Sequence, residues 1–266
     1  MKQVKIAWHG IHSGEEPPLS PAGGIFFSGC NLHCVFCQNY QISQQGLGKN
    51  YSVAELSDMM LELQKNGATN IDLVTPTIWH QQIKEAILLA RKNNLKIPIV
   101  WNSNGYEDLK IIKAMEGLID IYLPDFKYSD DDLALKYSGI KNYLSTATAA
   151  IKEMIRQVGN LKIANNTAQR GVIVRHLVLP NNLENSFGVL KHLSEIDTNI
   201  HISLMNQYYP LHQADKFPEL CRVVSEKEFE QVYDYLLDLG FANGWVQGEK
   251  SQKNLIPDFT KLEPFN

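Results

Sequence analysis

The chain is poor in cysteine, with four in 266 residues, which excludes a small secreted domain stapled by disulfides. It also lacks basic excess: 25 Lys and Arg stand against 29 Asp and Glu, a formal net charge of -4. No run of lysine and arginine marks a nucleic-acid or membrane footprint, so neither DNA nor a membrane is an expected partner. Nothing approaches the ~18 consecutive apolar residues that span a bilayer, and the opening MKQVKIAWHG has no signal-peptide core. The expected location is the cytoplasm. Low-complexity linkers, short internal repeats and a second composition regime are absent too, so 1–266 reads as a single domain.

What is present is an alternation of short β-rich apolar runs and longer amphipathic stretches. The runs are GGIFF (23–27), NIDLVTP (70–76), KIPIVWN (96–102), DIYLPDF (120–126), GVIVRHLVL (171–179) and HISLMNQYY (201–209). Between them lie helix candidates. SVAELSDMMLELQKNG carries a capping-box start at Ser52 and Glu55, and SEKEFEQVYDYLLDLG carries another at Ser225 and Glu228. SDDDL, near Ser129, reads as a helix start with carboxylates at the positive dipole end. No hairpin-type turn joins neighbouring strands, which implies parallel pairing through right-handed crossovers. The expected fold is α/β, a partial (β/α)6 TIM-like barrel of parallel strands. Residues 1–22 form an N-terminal extension, 23–209 the core, and 210–266 a C-terminal helix and tail.

Such folds place chemistry at the carboxyl ends of the strands. Polar residues gather there: Cys30, Cys34 and Cys37 after the first run, Thr75 and Thr77 after the second, and Asn102 and Asn104 after the third. Asp125 and Lys127 follow the fourth, and Asn206 and Gln207 close the sixth. The spacing of two in 102/104 and 125/127 puts each pair on one face of an extended segment. Arg175 differs, because it lies inside an apolar run where a buried guanidinium needs an anionic partner.

Cys30, Cys34 and Cys37 form C-x3-C-x2-C, and three readings compete. A structural zinc site needs a fourth ligand, His33 or the distant Cys221. A redox pair, Cys34 with Cys37, leaves Cys30 unexplained. An iron-sulfur cluster with three cysteines keeps one iron open to a substrate or cofactor.

With Phe36 as the aromatic of C-x3-C-x-aromatic-C, the motif resembles the signature of the radical S-adenosylmethionine (SAM) superfamily. SGCNLHCVFCQNY, the preceding EEPPLSP, IDIYLPDFKY and VIVRHLVLPN are similar to the branch related to pyruvate formate-lyase activating enzyme, over essentially the whole chain. The resemblance implies a [4Fe-4S] cluster on Cys30, Cys34 and Cys37, with SAM on the open iron. It implies reductive cleavage of SAM to a 5'-deoxyadenosyl radical that abstracts hydrogen from a partner, either a protein glycyl site or a small molecule. An electron donor such as flavodoxin or ferredoxin is implied as well.

By the same resemblance Phe36 lies against the adenine, or else packs in the core. Asp125 and Lys127 contact the methionyl part, or else form a solvated ion pair. Arg175 meets a carboxylate, or else an outward salt bridge. Asn102, Asn104, Asn206 and Gln207 are further cofactor or substrate contacts. The chain departs from the superfamily where LVTPTIWH replaces a Gly-Gly-Glu run; Thr75, Thr77 or a backbone carbonyl takes that contact. His9, His12 and Glu15 read as surface-loop residues rather than a second metal site. With only Cys221 left over, one cluster is expected. The rival functions are a non-catalytic zinc or iron-sulfur scaffold and radical modification of RNA, the latter opposed by the acidic balance.

Overall fold

The computed structural model describes residues 3–247 and 256–265. Part of the tail expected over 210–266, namely 248–255 and 266, lies outside the described residues, as do residues 1 and 2. In chain order the elements are β1 (Gln3–His12), β2 (Ala22–Phe27), α1 (Tyr40–Ser43), β3 (Lys49–Ser52), α2 (Val53–Lys65), β4 (Ile71–Val74) and α3 (His80–Lys92). There follow β5 (Ile99–Ser103), α4 (Leu109–Ala114), β6 (Ile121–Pro124), α5 (Asp131–Ser138), α6 (Tyr143–Val158), β7 (Lys162–Ala164) and β8 (Thr167–Leu177). The last are α7 (Leu183–Ile196), β9 (His201–Met205), α8 (Glu226–Asp238) and β10 (Gly244–Gln247). None of the described helices is long and apolar enough to cross a membrane.

The strands form one sheet in the order β10-β9-β8-β6-β5-β4-β2-β1-β3, with β7 beside β8. From β10 to β2 every pairing is parallel. The fold is the partial parallel barrel of α/β type. All six expected runs are strands, and both expected capping boxes are present at α2 and α8. Asp130 caps α5 by accepting from the amides of Asp132 and Leu133.

The sheet continues past 23–209 at both ends. Residues 3–12 are β1, antiparallel to β2, rather than an extension outside the sheet. Its alternating Val4 and Ile6 are buried, but the apolar run is short. β10 extends the parallel sheet from the region expected to be tail, and its few residues leave no periodicity to read.

Alternation along the strands separates two faces. Leu73, Trp101, Tyr122, Val174 and Leu204 pack against the helices. Val100, Ile121, Leu123 and Ile173 face the concave side, where Leu19 joins them as a plug. The plug is tied down by its own carbonyl, which accepts from Asn70 Nδ2 at 2.6 Å. The segment just before Leu19 thereby runs into the barrel interior, and this brings Glu15 and Glu16 to Arg175.

Candidate active site

At the carboxyl ends of the parallel strands a cleft of about 210 Å³ opens. The loop after β2 carries the three cysteines into its wall. Backbone bonds fix this loop to α5: the amides of His33 and Val35 donate to the carbonyls of Ser138 and Tyr137. Gln44 Nε2 donates to the Cys34 carbonyl at 3.1 Å.

Each sulfur has a polar neighbour. The Leu32 amide and Asn104 Nδ2 each donate to Cys30 Sγ at 3.4 Å. Ser138 Oγ donates to Cys34 Sγ at 3.0 Å, and Cys37 Sγ lies 3.3 Å from Ser43 Oγ. Burial pushes all three thiols up, Cys37 to about 12. Thiols so placed become thiolates only against a strong positive charge, which is what iron supplies. Among the described residues no three His, Cys, Asp or Glu are disposed to hold a single ion. A cluster gives each thiolate its own iron, whereas zinc needs all of its ligands on one ion. Cys221 is exposed and bonds only backbone carbonyls, outside the cleft wall.

The exits of β5 and β6 form the next wall. Gly105 sits at φ +77°, and a Cβ there would come within 2.0 Å of the Asp125 carbonyl oxygen. Only glycine allows this approach, which sets Asn104 beside Asp125. Tyr143 OH binds both exits: it accepts from the Lys127 amide at 2.7 Å and donates to the Asn104 carbonyl at 3.2 Å. Lys127 Nζ meets Asp125 Oδ2 at 2.5 Å. Burial opposes the Lys127 charge, but the Asp125 charge and hydrogen bond prevail and hold its pKa above the ordinary value.

Arg175, on β8, donates from Nε and Nη2 to the two oxygens of Glu16 at 2.7 Å. Nη2 also contacts Glu15, whose other oxygen is 3.5 Å from His12 Nε2. The expectation of surface-loop residues here is corrected: His12 and Glu15 line the cleft with side chains 10% and 7% exposed. On the same concave face Asn102 Nδ2 donates to the buried Asp72 at 3.2 Å. Burial, aided by the Glu15 charge, pushes the Asp72 carboxyl well above the usual range.

Of the residues singled out in the sequence, Cys30, Cys34, Cys37, Phe36, Thr75, Asn102, Asn104, Asp125, Lys127, Arg175 and Gln207 all line the cleft. Phe36 meets Tyr208 edge to face. Thr75 holds a φ of +61°, a strained conformation for a β-branched residue. Two residues lie elsewhere. Thr77 is corrected because its hydroxyl donates to the buried Glu107 at 2.8 Å, behind the wall. Asn206 is corrected because it is buried just past the end of β9 and is not in the cleft wall, which Met205, Gln207 and Tyr208 line. Sequence reasoning missed Glu16, Ser43, Ser138 and Phe265. Only Glu16 left a signal, the anion that a buried Arg175 demands.

The family model described as the radical SAM superfamily matches residues 25–192. An uncharacterised protein of Methanocaldococcus jannaschii is 32% identical over 243 residues, covering 86% of this chain and 67% of that protein. The pyruvate formate-lyase-activating enzyme of Clostridium pasteurianum is 23% identical over 249 residues, covering 86% of this chain and 97% of that enzyme. The crystal structure of Streptococcus suis SuiB bound to precursor peptide SuiA superposes with a TM-score of 0.58 at 13% identity, covering 83% of this chain. The chain spans 47% of the length of that solved structure.

Proposed function

The chain belongs to the radical SAM superfamily, and from that premise we propose that it activates a partner by hydrogen abstraction, with a protein glycyl site as the first candidate. Its cofactors are a [4Fe-4S] cluster and SAM. Together these supply one-electron cleavage of a sulfonium carbon-sulfur bond, and the 5'-deoxyadenosyl radical released takes a hydrogen atom. The glycyl-radical reading is supported by the likeness to the activating enzyme of Clostridium pasteurianum along nearly its whole length.

In this reading Cys30, Cys34 and Cys37 would hold the cluster, and three protein ligands would leave a place for SAM. Asn104, Ser43 and Ser138 lend hydrogen bonds to the sulfurs, which orients the ligands and tunes their basicity. Phe36, braced by Tyr208, lines the wall where a flat base would lie. Lys127, held by Asp125, presents a fixed ammonium to a carboxylate. Thr75, with its amide committed to the Asn102 carbonyl at 2.9 Å, turns the remaining polar groups of the turn after β4 toward the ligand. The electron donor is an external protein such as flavodoxin or ferredoxin.

The observation that carries the reading is the grouping of three hydrogen-bonded thiols, Cys34 buried and Cys30 and Cys37 half-buried, with an Asp125-Lys127 pair on one cleft of a parallel barrel. The test adds dithionite and SAM to the anaerobically reconstituted protein and measures 5'-deoxyadenosine. Product from the wild type and none from Cys37→Ala is expected. A brown, iron-loaded wild type that makes no product refutes the enzyme and leaves a scaffold.

A further inference from the structure

Inside the barrel two carboxylates share one guanidinium. Glu16 takes both forks of Arg175 at 2.7 Å and is 1% exposed. Glu15 touches the same Nη2 but stands in the cleft wall, which Glu16 does not. One guanidinium balances one carboxylate, so the group carries a surplus of one negative charge, and the surplus faces the cleft. Among the described residues no neighbouring side chain cancels it. Lys127 is committed to Asp125 at 2.5 Å. His12 approaches Glu15 to 3.5 Å, but burial outweighs the Glu15 charge and holds the His12 pKa below its ordinary value, so the ring faces Glu15 neutral at pH 7. Asp72, kept protonated by burial, contributes no compensating cation.

A buried uncompensated charge is destabilising, and such costs persist at sites shaped by what they bind. Two more groups in the wall point the same way. Gln207 Oε1 and Asn39 Oδ1 are buried acceptors without a partner among the described residues. The complement of a surplus carboxylate and idle acceptors is a positively charged donor. The rings beside Glu15 are aromatic: His12 lies 4.3 Å from Phe265 and 6.0 Å from Phe26, between centroids.

We propose that Glu15 is the anchoring point for the positively charged group, a sulfonium or an ammonium, of a ligand held in this cleft. The inference rests on the radical SAM reading, which names one such ligand, SAM; a second ligand bearing an ammonium is the other source.

The test titrates anaerobically reconstituted holoprotein, wild type and Glu15→Gln, in a calorimeter with three probes. These are SAM, S-adenosylhomocysteine, which keeps the ammonium but has no sulfonium charge, and 2-phenylethylammonium, chosen for the aromatic wall. A loss of about tenfold or more for SAM alone assigns the sulfonium. An equal loss for SAM and S-adenosylhomocysteine assigns the cofactor ammonium. Loss confined to 2-phenylethylammonium assigns a second ligand. Unchanged affinity for all three overturns the proposal.

Thermal melts of the same protein separate binding from folding. A surplus charge predicts that Glu15→Gln melts no lower than the wild type, while Glu16→Gln melts several degrees lower. A Glu15→Gln protein as unstable as Glu16→Gln makes Glu15 a mere structural partner of Arg175 and also overturns the proposal. A wild-type cluster whose electron paramagnetic resonance signal ignores SAM refutes the radical SAM reading instead and leaves the amine arm standing.

Discussion

Arg175 and Glu16, 159 positions apart in the chain, meet fork to fork through two hydrogen bonds of 2.7 Å in the barrel interior. The pair joins the N-terminal plug to β8. Burial alone would push the Glu16 carboxyl up, but the Arg175 charge and hydrogen bonds outweigh it and hold the pKa below the usual range. Removing Glu16 deletes two charge-assisted bonds and leaves Arg175 only its contact with Glu15, at about 1.5–3 kcal/mol per bond lost. Glu16→Gln is therefore expected to lower the urea midpoint strongly. Because the folded pKa is depressed, the stabilisation is complete above the unfolded value near ~4.3. It is lost as pH falls through the folded value. A Glu16→Gln protein with unchanged stability at pH 7 contradicts the pairing.

Asp72 carries the opposite sign. Its carboxyl is pushed well above the usual range by burial and then by the Glu15 charge, and its Oδ1 has no partner among the described residues. The folded state keeps a proton that the unfolded chain releases near ~3.9. This contribution is full below that value and disappears as pH rises through the folded pKa. Asp72→Asn mimics the protonated acid and should be more stable than the wild type at pH 8 by about 1–3 kcal/mol, with the gap closing toward pH 4. Melting curves across that range decide it, and a gap independent of pH rules out titration of Asp72 as its source.

How much of this was legible in the sequence depended on the range of the signal. The parallel core was, because each buried strand is a continuous apolar run, and α2 and α8 carry capping boxes, Ser52 with Glu55 and Ser225 with Glu228. The cysteine loop was legible because thiolate chemistry fixes its spacing. β1 and β10 were not, since an edge strand such as Gly244–Gln247 is defined by its partner rather than by its own pattern. Glu15 and Glu16 sit in a Pro-rich stretch that reads as surface. Only the demand of Arg175 for an anion pointed inward, and the sequence does not say which of many carboxylates answers. Thr77 and Asn206 lie in turns just past β4 and β9, where the strand period no longer says which way a side chain points.

Ser138 and Asn104 should tune the cluster unequally. Ser138 Oγ donates to Cys34 Sγ at 3.0 Å and is braced by Tyr128 OH at 2.6 Å. Asn104 Nδ2 reaches Cys30 Sγ only at 3.4 Å and spends its better bond, 2.7 Å, on Asn31 Oδ1. Donors to sulfur favour the more negative, reduced cluster and raise its potential. A differential of ~1 kcal/mol corresponds to about 40 mV for one electron. Ser138→Ala should lower the potential by roughly that much and Asn104→Ala by less, in a dithionite titration followed by visible absorbance. The reverse order, with iron content unchanged, contradicts the assignment of these bonds to ligating sulfurs.

Residues 256–265 lie across the same mouth, and their hold on it is specific. Gln41, four positions past Cys37, donates from Nε2 to Asp258 Oδ1 at 3.2 Å and accepts the Phe259 amide at 2.8 Å. Phe265 lines the cleft and packs on Trp8 at 5.1 Å and on Phe26 at 5.3 Å. A segment clamped to the loop that carries the cysteines shields the cluster from solvent only while both holds persist. Gln41→Ala removes the clamp and Phe265→Ala the aromatic wedge, each at about 1–2 kcal/mol for a half-buried contact. Both variants should load the same iron as the wild type under argon, and then lose cluster absorbance in air several-fold faster. The double variant should add little, because either change alone frees the segment. Equal bleaching half-times in all four proteins, with iron loading matched, mean that oxygen reaches the cluster by a path these residues do not cover.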